Sequence, residues 1–171
     1  ARTVVLLHDL LADRASLAGL RDALVGRGLR VVLPDMRGHG ASAAIPGVRF
    51  TIAELVLDLR SILDAEGVTQ ADVVGVGLGG TIGLDFAVAE PSLVGRLALV
   101  DPYLPGLPRD DPDPEVSAAA DRERESAANI AELAAKGSVA RAFELYFGAR
   151  EGADWQARRT KPVLAAMRRH G

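Results

Sequence analysis

Short, unbroken apolar runs alternate along the first hundred residues with stretches in which apolar residues recur every three or four positions. A run with no polar alternation suits a strand buried on both faces, whereas a three-to-four spacing suits a helix that buries one side. Thr3–Leu7 reads as the first such strand. Leu17, Leu20, Leu24 and Val25 follow at helical spacing and are stopped by Gly26 and Gly28. Arg30–Leu33 is the next strand, ended by Pro34-Asp35, and Arg37-Gly38-His39-Gly40 follows as a loop. Ile52, Leu55, Val56, Leu59, Ile62 and Leu63 form the clearest helical stripe, with Thr51 and Glu54 as a capping box at its start and Gly67 at its end. Ala71–Val76, Gly79–Ala89 and Arg96–Val100 then read as strand, helix and strand. Alternation with short links predicts an α/β fold, a parallel sheet with helices on both faces in three layers, joined by right-handed crossovers.

From Pro102 the pattern changes to a Pro/Asp-rich linker, Pro102–Pro114, and then to alanine-rich, charged helical segments running to His170. The expected organisation is therefore a core over residues 1–105 and a helical segment over 106–171, together one domain. The run Asp121-Arg-Glu-Arg-Glu125 reads as a solvated helix face.

Composition narrows the function classes. The 20 basic and 23 acidic residues are scattered and give a net charge of −3, so no basic stripe offers itself to nucleic acid. The 49% hydrophobic content fits a globular chain. Absence of cysteine removes disulfides, thiolate metal ligands and a cysteine nucleophile together. No apolar run is long enough to span a bilayer and no leader precedes the first strand, so the expectation is a cytoplasmic protein.

Three places carry chemistry: His8-Asp9 after the first strand, Arg37-Gly38-His39-Gly40-Ala41-Ser42 after the second, and Gly75-Val-Gly-Leu-Gly-Gly80 after the third. In this order they resemble the α/β-hydrolase superfamily, over roughly Thr3–Pro105. The resemblance implies that the four strands are family strands three to six, that the helical tail begins a lid, and that two strands on each side of this stretch are not in the chain. It also implies that Gly77 stands where the family carries its nucleophilic serine, on a tight strand-to-helix turn, and glycine has no oxygen with which to start acyl transfer. By the same resemblance the backbone N–H groups of Leu10 and Leu78 form the oxyanion hole. Asp9 takes the place of a common glycine and puts a carboxylate near that hole, the wrong sign for a developing oxyanion unless it is protonated or paired.

Asp101, at the end of the last strand, has two readings, a catalytic acid or a structural aspartate. His8 and His39 match positions that shape the loops around the site, and His170 lies in the tail, so none is placed as the general base. Ser42 reads as a loop hydrogen-bonder. The expected protein is thus an esterase- or lipase-like hydrolase scaffold without normal hydrolytic activity, binding a small apolar acyl or ester-like molecule, with no cofactor, no metal and no nucleic acid. A ligand-binding relative, or a lyase or cyclase on the same scaffold, remains an alternative. Gly75, Gly77 and Gly80 also satisfy G-x-G-x-x-G, with Asp101 about twenty residues beyond, so a dinucleotide-binding domain for NAD, NADP or FAD stays open as a third.

Overall fold

A computed structural model describes residues 1–42, 50–103, 113–136 and 141. The chain divides into two units, Ala1–Tyr103 and Leu104–Gly171. The first contains β1 (Thr3–Leu7), a 3-10 turn (Arg14–Leu17), α1 (Ala18–Val25), β2 (Arg30–Val32), α2 (Ile52–Ala65), β3 (Ala71–Val76), α3 (Leu78–Ala89) and β4 (Val94–Val100). In the second, the described residues form α4 (Pro114–Ala135), whose Asp121, Arg122 and Glu125 are exposed.

The four strands make one parallel sheet in the order β2-β1-β3-β4. Every residue of β1 is buried, as an unbroken apolar run requires of a central strand. β2 ends at Val32, one residue short of the expected Leu33. Val32 pairs with Val5, whereas Leu6 and Leu7 of β1 pair only with Val74 and Gly75 of β3. β4 starts two residues before the expected Arg96. Its register with β3 steps from Ala71↔Val94 to Val73↔Leu97, so the Gly95-Arg96 stretch holds one extra residue in a bulge that hides the strand's start from a hydrophobicity reading.

Helix α2 forms where its stripe and cap place it. Thr51 Oγ1 accepts the Glu54 N–H at 3.3 Å, and the Glu54 carboxylate accepts the Thr51 N–H at 2.7 Å, which pairs two otherwise orphaned donors of the first turn. Leu55, Val56, Leu59 and Leu63 are buried and join Val5, Leu7, Val73, Ile82 and Phe86 in the core. Gly67 ends the helix at φ +64°, a conformation that favours glycine. Helix α1 also forms, but its expected apolar face is not buried: Leu20 and Val25 are exposed, and Leu17 belongs to the 3-10 turn. Among the described residues α1 packs chiefly on that turn and the three-residue β2, which leave Leu20 and Val25 uncovered.

Candidate active site at the carboxyl ends of the strands

β1 and β3 lie side by side with Leu7 opposite Gly75, so the residues that follow each strand meet at one end of the sheet. Close packing there depends on glycine. A methyl group on Gly75 would stand 2.2 Å from the Gly79 carbonyl oxygen, and one on Gly79 would stand 2.3 Å from the Leu7 carbonyl oxygen. Small residues therefore let the first turn of α3 rest on β3 and on the end of β1.

Between β3 and α3 the chain turns at Gly77, buried at φ +52° and ψ −118°. Its N–H donates to the Val100 carbonyl at 2.9 Å, tying the turn to the end of β4, and its carbonyl accepts the Gly80 N–H at 2.9 Å. Asp101 comes next after Val100, exposed, at φ +47°. Gly77 and Asp101 thus stand on neighbouring strand ends, and Thr81 Oγ1, which donates to the Tyr103 carbonyl, holds the chain beyond Asp101 against α3.

Asp9 enters the same place from β1. Its Oδ1 accepts the Leu10 N–H at 2.7 Å and the Leu78 N–H at 2.9 Å. These are the two amides that the sequence pattern marks as anion donors, and both converge on a single oxygen of the chain's own carboxylate. The charge that looked misplaced is therefore paired, with the start of α3 supplying one donor and the favourable end of its dipole.

The two histidines shape this end of the sheet. His8 is fully buried; Met36 N–H donates to its Nε2 at 3.0 Å, so the proton sits on Nδ1 and is donated to the Asp9 carbonyl at 2.8 Å. Burial lowers the His8 pKa from 6.5 to about 4, with the backbone bond at Asp9 opposing the shift. His39 accepts the Leu11 N–H on Nε2 at 3.3 Å and donates from Nδ1 to the Arg37 carbonyl at 3.0 Å. That contact anchors Leu11, which sits at φ +60°, a region uncommon outside glycine. Both rings are committed to backbone partners and lie 5.2 Å apart between centroids. His170 lies outside the described residues.

Asp35 organises the loop after β2. It accepts the Arg14 N–H at 2.7 Å and the Ala41 N–H at 2.8 Å, and Arg14 Nε lies 3.5 Å away. Burial raises its carboxyl pKa, but the two backbone donors and the arginine outweigh burial and leave it below the usual carboxylate value. Ser42 Oγ donates to the Asp35 carbonyl at 2.7 Å. Neither the pairing of Asp9 nor the scaffold role of Asp35 was singled out from the sequence. The Asp35 signal was available: a pocket of acid behind an Arg-Gly-His-Gly turn needs Gly40, where a methyl group would stand 2.2 Å from Asp35 Cγ.

A cavity of about 340 Å³ is lined by Leu55, Leu59 and Ile62 of α2, by Leu7 and Ile82, and by the loop after β2 through Asp35 and Met36, with the Arg37–Asp58 ion pair among its lining. Among the described residues no group of three potential metal ligands occurs, and no helix is long and apolar enough to cross a membrane.

Comparison with known proteins agrees with this architecture. The family pattern described as alpha/beta hydrolase fold matches residues 2–164. The chain belongs to the α/β-hydrolase family. Among curated relatives, it is 40% identical over 81 residues to a Variovorax paradoxus protein named "Putative carbamate hydrolase RutD", a match covering 47% of this chain and 30% of the relative. It is 34% identical over 99 residues to the 2-hydroxy-6-oxo-2,4-heptadienoate hydrolase of Pseudomonas putida, covering 57% of this chain and 36% of the relative. A solved hydrolase from Pseudomonas aeruginosa superposes with a TM-score of 0.60 at 30% identity, over 77% of this chain and 44% of that one. The matches thus cover between 30% and 44% of the length of these proteins.

Proposed function

We propose that this chain carries the elbow region of an α/β hydrolase-fold protein in which Gly77 replaces the nucleophile, so that the protein does not cleave esters through a covalent acyl-enzyme at that turn. The observation that carries the reading is the turn itself. Gly77 occupies a tight strand-to-helix corner at positive φ, at the carboxyl ends of the strands where ligands of such sheets bind, and it presents no side-chain oxygen. The carboxylate of Asp9 stands on the two backbone donors that an ester's developing oxyanion would need.

The ligand class we assign is a small, apolar acyl or ester-like molecule; the relatives above are named as hydrolases of a carbamate and of 2-hydroxy-6-oxo-2,4-heptadienoate. A site without the nucleophile but with a carboxylate held by two backbone donors suits ligand binding, or a lyase or cyclase reaction that needs orientation and proton transfer more than a nucleophile. Asp101 is the candidate acid, and the stretch 106–171, of which α4 (Pro114–Ala135) is described and most of the rest lies outside the described residues, is assigned as the cap. The dinucleotide alternative is disfavoured by charge, because a pyrophosphate at the start of α3 would meet the Asp9 carboxylate already bonded to Leu78 N–H.

Treatment of the intact protein with a fluorophosphonate probe and with p-nitrophenyl acyl esters tests the proposal. The expected result is no stoichiometric labelling and no burst of p-nitrophenol. Stoichiometric labelling of the unaltered protein would overturn it, and peptide mapping would then ask first whether the label sits on Ser42.

A further inference from the structure

We infer that Asp9 is a built-in stopper of the Gly77 turn: its carboxylate and a side chain at position 77 exclude each other. The inference deepens the proposed function, since it rests on Gly77 being the elbow position. A methyl group on Gly77 would lie 1.7 Å from Asp9 Oδ1, 2.2 Å from Cγ and 2.7 Å from Oδ2. Even the carbon that would bear a hydroxyl group overlaps the carboxylate. Asp9 is short and can swing away, but only by giving up the Leu10 and Leu78 N–H groups that hold Oδ1 in place. A side chain at 77 therefore costs those two bonds together, and the acid at 9 and the glycine at 77 operate as one unit.

Exclusion has a thermodynamic signature that the intrinsic strain of a positive-φ alanine does not share. In the Gly77 protein, Asp9→Ala removes both bonds. In a Gly77→Ala background those two bonds are already lost, so Asp9→Ala costs less there. The cycle subtracts the backbone strain at 77, because that strain is present on both sides of the comparison.

The experiment is a four-member cycle of the intact protein, Asp9→Ala and Gly77→Ala alone and combined, read by thermal melting. Asp9→Ala is expected to lower the melting temperature by a few degrees in the Gly77 background and by clearly less in the Gly77→Ala background. An equal drop in both backgrounds would overturn the inference. Because Gly77→Ala could prevent folding, a second measurement uses Asp9→Ala alone: the Leu78 amide proton, 69 residues away in sequence, is expected to move upfield and to exchange faster with solvent. An unmoved Leu78 resonance would refute the pairing regardless of the cycle. Neither readout depends on esterase activity, so failure of the exclusion and failure of the proposed function are told apart.

Discussion

Asp9 Oδ1 lies where the first carbon of any side chain on Gly77 would have to stand, 1.7 Å from it. The acid after β1 and the glycine after β3 thus form one structural unit. Glycine at 77 opens the space, and the space is filled by a carboxylate that caps α3 through Leu78 N–H. A local rule broken at one position is offset by a contact made from the other.

Gly75 makes the first prediction. A methyl group there would meet only backbone: the Gly79 oxygen at 2.2 Å, the Gly79 carbonyl carbon at 2.5 Å and Gly80 Cα at 2.6 Å. No rotamer change relieves such a clash, so Gly75→Ala should push α3 off β3 and destabilise by about 3 kcal/mol or more. Chemical denaturation checks it, and a loss under about 1 kcal/mol would mean that α3 yields more easily than its packing implies.

Thr51 gives a prediction on local structure. Thr51→Ala removes the side-chain acceptor for Glu54 N–H and the hydroxyl that donates to the Glu54 carboxylate at 3.0 Å. Helix α2 carries four core residues, Leu55, Val56, Leu59 and Leu63, so fraying at its start should be felt by the whole unit. The expected cost is about 1 kcal/mol, read as a lower denaturation midpoint at unchanged slope.

Asp35 should matter more than an ordinary surface acid. Asp35→Ala strips the acceptor from the Arg14 and Ala41 N–H groups and from the Arg14 side chain at once, and it releases the turn that Gly40 makes around it at φ +53°. Leaving two backbone donors to find water should cost about 1–3 kcal/mol. The carboxyl pKa is held below its usual value, so this contribution is present above the unfolded carboxylate pKa and fades as pH falls through the folded one. Equal stability of the variant and the parent at neutral pH would count against the assignment.

How far the sequence carried the fold depends on whether each signal was local. β1 is an unbroken run, β3 is a short Val-rich stretch despite Asp72, and α2 has both stripe and cap within its own residues, so all three were legible. The start of β4 was not, because Gly95 and Arg96 interrupt the apolar run where the bulge falls. Nor was the exposure of Leu20 and Val25, since a helical stripe says which side is apolar and not whether anything covers it. At the site, the family resemblance brought Asp9, Leu10, Gly77 and Leu78 near one another and left open whether the Asp9 carboxylate is paired; its partners, the Leu10 and Leu78 N–H groups, were not legible. A hydrogen bond across 69 residues depends on side-chain direction, which spacing does not encode.

His8 makes the last prediction. It is buried without exposure and neutral, with Nε2 accepting Met36 N–H and Nδ1 bonded to the Asp9 carbonyl. His39 disfavours a proton on it, while Asp35 and Asp13 favour one, and burial outweighs them to bring the pKa from 6.5 to about 4. Between those two values the unfolded chain binds a proton at His8 that the folded chain refuses. Stability should therefore be complete above pH 6.5 and fall as the pH drops toward 4, by roughly 3 kcal/mol across the window. The half between pH 6.5 and 5 is the informative one, because few carboxylates titrate there. Urea denaturation at closely spaced pH values should give a slope that steepens from about 0.7 to about 1.2 kcal/mol per pH unit as pH falls over that range and that His8→Asn removes, although the variant starts from a lower stability after losing the fit of the imidazole to Met36. An identical slope in the parent and in His8→Asn would show that the proton is taken up elsewhere and that His8 does not set the acid limit of the fold.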